Sequence, residues 1–201
     1  MKKYCSILLL IFWSFSIAQT STTQKSKELE FKVNWRIHAI YPIHFGENAL
    51  AKAHKPRLGF SSHLNLLDFQ NFKAGFGLDF LTYDITKPEL IANNSTSKYT
   101  SAYILISYEY KLNNKILITP TVGYGSARLD IGSRDSRFGG QSGDEYRFGG
   151  IADYKIGNST FAFIGMNYII NKFEIDTAPE YKSFFSNANQ LQLSLGFRFG
   201  I

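Results

Sequence analysis

The chain's nearest approach to a nucleophile beside a base is the run Ser61, Ser62, His63. A hydrolytic triad needs a hydroxyl within reach of an imidazole, and an acid to orient that imidazole. In an extended segment neighbouring side chains point to opposite faces, so Ser62 cannot serve His63. Ser61 shares the face of His63, but no acid is assignable to the pair from spacing. His38 and His63 could face one another across the first two strands as metal ligands, but the expectation is two hydrogen-bonded histidines in the interior. His44 and His54 fall in a connecting stretch without a ligand cluster. The single cysteine, Cys5, lies near the start of the chain. The segment Asp130 to Asp144 reads DIGSRDSRFGGQSGD. Its glycines lack the Lys-Ser/Thr ending of a phosphate loop, so it reads as a flexible surface loop. No catalytic residue, metal ligand or cofactor site is expected.

Another set of chemically active residues follows a regular rhythm. Arg36, His38, Arg57, Asp79, Glu109, Arg147, Asp153 and Arg198 each sit between apolar neighbours. The elements that would position them alternate with period two, the mark of strands with one apolar and one polar face. From Phe31 to Tyr41 the odd positions are apolar, and Lys32, Asn34, Arg36 and His38 lie between them. The same pattern recurs at 57–68, 72–83, 99–111, 116–128, 145–156, 160–172 and 190–199. In the seventh segment Phe161 and Phe163 occupy the polar face, and Ala162, Ile164, Met166, Tyr168 and Ile170 are taken as the apolar one. Pro120 inside the fifth predicts a bulge or a broken ladder.

Connections at 69–71, 113–114 and 157–159 are tight and rich in turn residues. Those at about 42–56, 84–98, 130–144 and 174–188 are long. An even strand number with alternating short and long connections is the layout of an outer-membrane barrel. The first residues, MKKYCSILLLIFWSFSIAQ, have a basic start, a short apolar run and small residues near Ala18. They read as a cleavable secretory signal over 1–19, followed by a polar leader over 20–28 and one barrel domain over 29–201. Cleavage would remove Cys5 and with it any disulfide. The net charge of +6 would fall by two lysines to +4, weak support for nucleic acid, and none is expected as a partner.

A soluble barrel with an apolar ligand cavity would alternate in the same way. Three features favour the membrane. The apolar faces are uncharged over about ten residues, the length of a tilted membrane strand. Their ends carry Trp35, Tyr41, Phe60, Phe72, Phe80, Tyr108, Tyr110, Tyr146, Phe148, Tyr168 and Phe199, a pattern matching interfacial aromatic girdles. The opposite faces carry charges of both signs, unsuited to an apolar ligand.

On these patterns the chain resembles the small outer-membrane barrels of the OmpA/OmpX type. It is also similar to the outer-membrane β-barrel domain proteins abundant in Bacteroidota. The resemblance implies an all-β, eight-stranded antiparallel up-and-down transmembrane barrel in the outer membrane of a Gram-negative bacterium. It implies outer-membrane lipid and lipopolysaccharide as surroundings, a monomeric state, and the barrel-assembly machinery as a partner during biogenesis. Family members commonly end on an aromatic residue; here Phe197 and Phe199 are in phase, but Ile201 is last. An eight-stranded barrel is only wide enough for side chains to fill it, so the charged set is expected to form a salt-bridged plug. The leading expectation is a structural or surface-interaction role. A narrow channel and a lipid-modifying enzyme are the alternatives.

Overall fold

The computed structural model describes residues 29–91, 95–133 and 136–200. The segments read as signal and leader, 1–19 and 20–28, lie outside them. Eight long strands form one antiparallel meander: β1 (Glu30–Phe45), β3 (Gly59–Phe69), β4 (Phe72–Ile85), β5 (Thr96–Tyr108), β7 (Ile116–Ser133), β8 (Ser136–Lys155), β9 (Thr160–Glu174) and β10 (Asn187–Gly200). Two short pieces complete the sheet, β2 (His54–Pro56) against β4 and β6 (Tyr110–Lys111) against β7. β1 pairs with β10 from Asn34↔Gly200 to Phe45↔Asn189, which closes the barrel. Among the described residues no helix is long and apolar enough to cross a membrane.

The register sets the geometry. Followed from strand to strand, the row runs Trp35, Leu64, Phe76, Ile104, Tyr124, Tyr146, Ile170, Asn189 and returns to β1 at Phe45. One circuit therefore climbs from position 35 to 45, a shear of 10, and forces the strands to tilt. The tight turns gather at one end. Gln70 turns the β3–β4 corner with φ 62°. Asn113 Oδ1 accepts from the Lys115 and Ile116 amides at 2.8 and 2.9 Å, an Asx turn before β7. Pro120 sits where β5 ends: pairing with β7 stops at Ser107↔Thr121 and resumes at Tyr110↔Ile118 with register unchanged. The ladder is broken there, as the proline requires.

The strands run further than their hydrophobic pattern. Across the middle of the barrel the apolar side chains point outward: Phe76 and Leu78 on β4, Ile104 and Ile106 on β5, Ile164 and Met166 on β9. Toward the other end the alternation inverts. On β7 Ala127 and Leu129 point inward and are buried, whereas Ser126 and Arg128 point outward. Leu81 and Tyr83 on β4, Tyr99 on β5, Phe173 on β9 and Ala188 on β10 do the same, and with Ile40 and Leu50 they form one apolar core inside the mouth. An apolar outer face suits lipid and a polar one suits water, so the switch falls where a membrane barrel would pass from one to the other.

This inversion corrects two readings of the connections. The stretch 130–144 is no loop: β7 and β8 pair as a hairpin up to Ser133↔Ser136. The first connection carries structure too. Its helix α1 (Ala49–Ala53) is capped by Asn48, whose Oδ1 accepts from the Ala51 amide at 2.9 Å, and Ala49, Leu50 and Ala53 are buried in the mouth. His44 and His54, read as loop residues, stand in β1 and β2. A second helix, α2 (Pro179–Ser186), precedes β10. β3 pairs with β1 only as far as Gly59↔Ile40, and β2 pairs with β4 alone. The stretch Tyr41–Phe45 therefore has a strand partner on its β10 side only.

Candidate functional site

The alternation aims one polar side chain in two from each strand into the lumen, and these side chains meet in two buried clusters. The cluster nearer the tight turns is balanced in charge. Arg36 donates to Asp153 at 3.1 Å, and Arg198 reaches Asp153 at 3.5 Å and Glu109 at 2.5 Å. Lys73 bridges Glu109 at 3.5 Å and Asp68 at 2.5 Å. Phe161 and Phe163 line this level. The Arg198 guanidinium lies 3.9 Å from the Phe161 ring centre, and that of Arg36 5.8 Å from Phe163. Two aromatic residues on the polar face are thus explained by cation–π contacts.

The second cluster, nearer the mouth, sets one guanidinium between two carboxylates. Arg147 donates through Nη2 to Asp79 at 2.5 Å, through Nε to Glu145, and through Nη1 to Gln192 at 3.2 Å. The remaining carboxylate lone pairs take neutral donors. Asp79 accepts from Ser61 at 2.6 Å, Tyr103 at 3.0 Å and the Gln192 amide at 2.9 Å. Glu145 accepts from Ser101 at 2.9 Å and from Tyr99. A carboxylate beyond the available cation is tolerable in a dry interior only with such donors. The Tyr103 ring lies 3.7 Å beneath the Arg147 guanidinium and over Gly77, where a Cβ would come within 2.4 Å of it. That is why β4 carries glycine at this position.

Of the charged residues singled out from the sequence, Arg36, Asp79, Glu109, Arg147, Asp153 and Arg198 stand in these clusters. His38 is buried in the lumen, but its Nδ1 has no hydrogen-bond partner. Arg57 does not belong with them. It precedes β3, lies on the outer surface and pairs with Asp84 at 2.6 Å. β2 continues against β4 in place of β3 there, so the alternation that placed Arg57 inside starts only at Gly59. Sequence reasoning missed Glu145, Tyr99, Tyr103 and Lys73. Glu145 could have been found two positions before Arg147 on the same face; the tyrosines carry no polar signature.

The histidines and Ser61 assemble no triad. Ser61 gives its hydroxyl to Asp79, while His63 meets Tyr103. His38 and His63 are diagonal neighbours, edge to face at 4.5 Å between ring centres, and Nδ1 of each is without a partner. Among the described residues no group of three or more His, Cys, Asp or Glu is placed to hold a metal. At the mouth, His44 Nε2 lies 3.2 Å from the Tyr83 hydroxyl, and His54 Nδ1 donates to the Ala49 carbonyl at 3.0 Å. Burial, with His54 adding to it, pushes His44 down to about 4; burial lowers His54 as well. As neutral rings, His44 joins β1 to Tyr83 of β4 across the mouth, and His54 ties β2 back to α1.

The aromatic residues singled out as girdles all stand on the outer wall. Trp35, Phe72, Tyr108, Tyr110 and Phe199 lie toward the turn end, and Tyr41, Phe60, Phe80, Tyr146 and Tyr168 toward the mouth, with Phe148 between. Trp35 also donates its indole N–H to Ser62, the one hydroxyl on this stretch of outer wall in β3, at 2.8 Å.

Residues 7–199 match the family described as outer membrane protein beta-barrel domain. Among solved structures the chain is similar to neisserial surface protein A, with 14% identity, 86% of this chain and 98% of that one covered, and a TM-score of 0.57. It is also similar to the outer membrane protein AlkL in lipid bilayers, with 13% identity, coverage of 92% and 97%, and a TM-score of 0.50. At these identities the likeness is one of fold. No curated protein matches the sequence.

Proposed function

The chain belongs to the outer membrane protein beta-barrel domain family, and on that premise we propose that it works through its extracellular surface, around a lumen closed to solutes. The observation that carries this reading is the filled interior. Two buried charge clusters stand one above the other, and the apolar core with α1 occupies the mouth above them. The inverted alternation adds to it, because strands with an apolar inside and a polar outside build a rigid platform beyond the membrane. The barrel sits in lipid and lipopolysaccharide as a monomer, without cofactor or catalytic role. Phe197 and Phe199 present the in-phase aromatic residues of the last strand to the assembly machinery.

Two measurements test this. Purified, refolded protein in a planar bilayer should give no discrete conductance; steady unitary steps would return the lumen to the role of a channel. A variant whose surface connections at 86–95 and 175–186 are replaced by short turns should insert normally, yet fail to restore detergent exclusion to cells lacking the gene. Full restoration would move the function from the surface to the barrel wall.

A further inference from the structure

The outer wall of β7, β8 and β9 carries a groove that starts at the tight turns. Its floor is made by side chains shorter than their neighbours. Ala152 stands between Ile118 and Ile164 across the ladder, and Ala162 between Tyr154 and Phe197. The resulting depression of about 310 Å³ is lined by Ile116, Ala152, Tyr154, Ala162, Ile164 and Leu195. A second, of about 570 Å³, shares Ala152 and Ile164 with it and continues toward the mouth past Gly150, Met166 and Leu193. Packing does not demand glycine there: a Cβ on Gly150 would meet nothing nearer than the Thr119 carbonyl at 3.8 Å. A glycine inside a strand weakens it, and one with room to spare leaves space for another molecule.

The foot of the groove is cationic. At the turn end of the β7–β8 ladder Ile116 faces Tyr154, and one step further out the Lys155 amide donates to the Lys115 carbonyl at 2.7 Å. Two lysines therefore stand directly opposite one another at the rim, an arrangement that costs stability unless an anion joins them. Lys111, on β6, pairs with Leu117, two positions along from Lys115. All three lysines are exposed, and among the described residues none has an ion-pair partner. No carboxylate is at hand to supply one, because 110–129, 154–173 and 187–200 contain neither Asp nor Glu. Asp153 is buried against Arg36 and Arg198, and Glu109 is held by Arg198 and Lys73. On the other half of the rim Glu30 pairs with Lys32 and Asp68 with Lys73.

We propose that this groove and rim hold one anionic glycerophospholipid of the inner leaflet. An acyl chain lies over Ala162, Ala152 and Gly150, and the phosphate sits between Lys115 and Lys155 with Lys111 beside them. The proposal rests on the outer-membrane reading above, in which the tight turns face the periplasm, and adds a lipid with a fixed place. The lysine stems lie along the apolar rim while their ammonium groups reach the phosphate. A zwitterionic phospholipid offers the same chain and phosphate, but its own ammonium opposes the three lysines, so charge selects the anionic class.

The test uses refolded protein in nanodiscs of mixed phosphatidylcholine and phosphatidylglycerol, one or the other carrying a label. Photoreactive benzoylphenylalanine replaces Tyr154 or, as reference, Phe72, an exposed aromatic residue at the turn end of β4. Phosphatidylglycerol should crosslink several-fold more at position 154 than at position 72, and phosphatidylcholine alike at both. Lys115→Ala and Lys155→Ala should each lower the yield at 154 about fivefold, the factor for one lysine near an anionic surface. Lys115→Arg should keep it. Gly150→Leu, whose side chain enters open space on the wall, should lower it by filling the groove. Equal labelling by phosphatidylglycerol at the two positions, or no loss in either the lysine double variant or Gly150→Leu, overturns the site. Equal labelling by the two lipids at 154 overturns the anionic assignment. Relief of the crosslink by inorganic phosphate in the buffer would give the rim to a free anion and overturn the lipid. Heat-modifiable migration on gels is read on the parent protein, and its absence would instead strike the outer-membrane reading.

Discussion

At the residue scale the interior is held by a few ion pairs whose members cannot be removed singly. Arg147 serves Asp79 and Glu145 together, so Arg147→Met leaves two buried carboxylates facing neutral donors. Loss of one partner from a buried pair costs about 3–5 kcal/mol, and urea unfolding of the refolded protein in micelles should show a loss of that order. Arg57→Met, which breaks an exposed pair, should change stability by less than about 1 kcal/mol. That contrast marks what was legible in the sequence. Spacing put both arginines on a polar face, but only the structure separates a residue within a strand from one just before it. The mouth histidines give a pH dependence. Burial lowers His44 from its ordinary 6.5 to about 4, so between these values the unfolded chain holds more protons than the folded one. Packing at the mouth, where His44 meets Tyr83 and burial also lowers His54 of β2, should therefore loosen as pH drops from 6.5 toward 4. Limited proteolysis within 46–58 should be faster at pH 5 than at pH 7.5, and His44→Gln should reduce the difference.

At the element scale the strands obeyed the period-two rule, and the connections did not obey the reading placed on them. The hydrophobic alternation identified all eight long strands because lipid demands an apolar outer face for about ten residues. Beyond the lipid the same strands continue with the opposite phase, as Ala127 and Leu129 inside and Ser126 and Arg128 outside illustrate. A reader following one phase loses the strand at the switch, which is why the β7–β8 hairpin passed for a loop. Pro120 was legible because its missing N–H has a fixed structural cost. The one-sided stretch of β1 yields a further prediction. Tyr41–Phe45 has a strand partner on its β10 side only, so hydrogen exchange should be faster there than at Ile37–Ile40, which have partners on both sides. Equal protection along β1 would mean that α1 and β2 seal the seam as firmly as a strand.

At the scale of the whole molecule, the closed meander and the two charge clusters inside it make one unit. The fold followed from the sequence because every strand repeats one signal; the role did not, because the surface connections carry no repeating constraint. Migration of the refolded protein on gels should depend on prior heating, as a closed barrel resists detergent, and Gly77→Leu should abolish that behaviour by driving a side chain into the Tyr103 ring. The join between β1 and β10 has a kinetic consequence. Residue 34 meets residue 200 there, whereas each neighbouring hairpin joins residues a few positions apart. Hairpins can form early and the join late, since loop closure costs more as the loop grows. Arg36–Asp153 and Arg147–Asp79 span 117 and 68 residues, so they complete only as the wall closes. Contacts made after the rate-limiting step act on escape rather than on entry. The buried charges would then serve as a latch, and their removal should shorten the lifetime of the inserted barrel while leaving its rate of insertion almost unchanged.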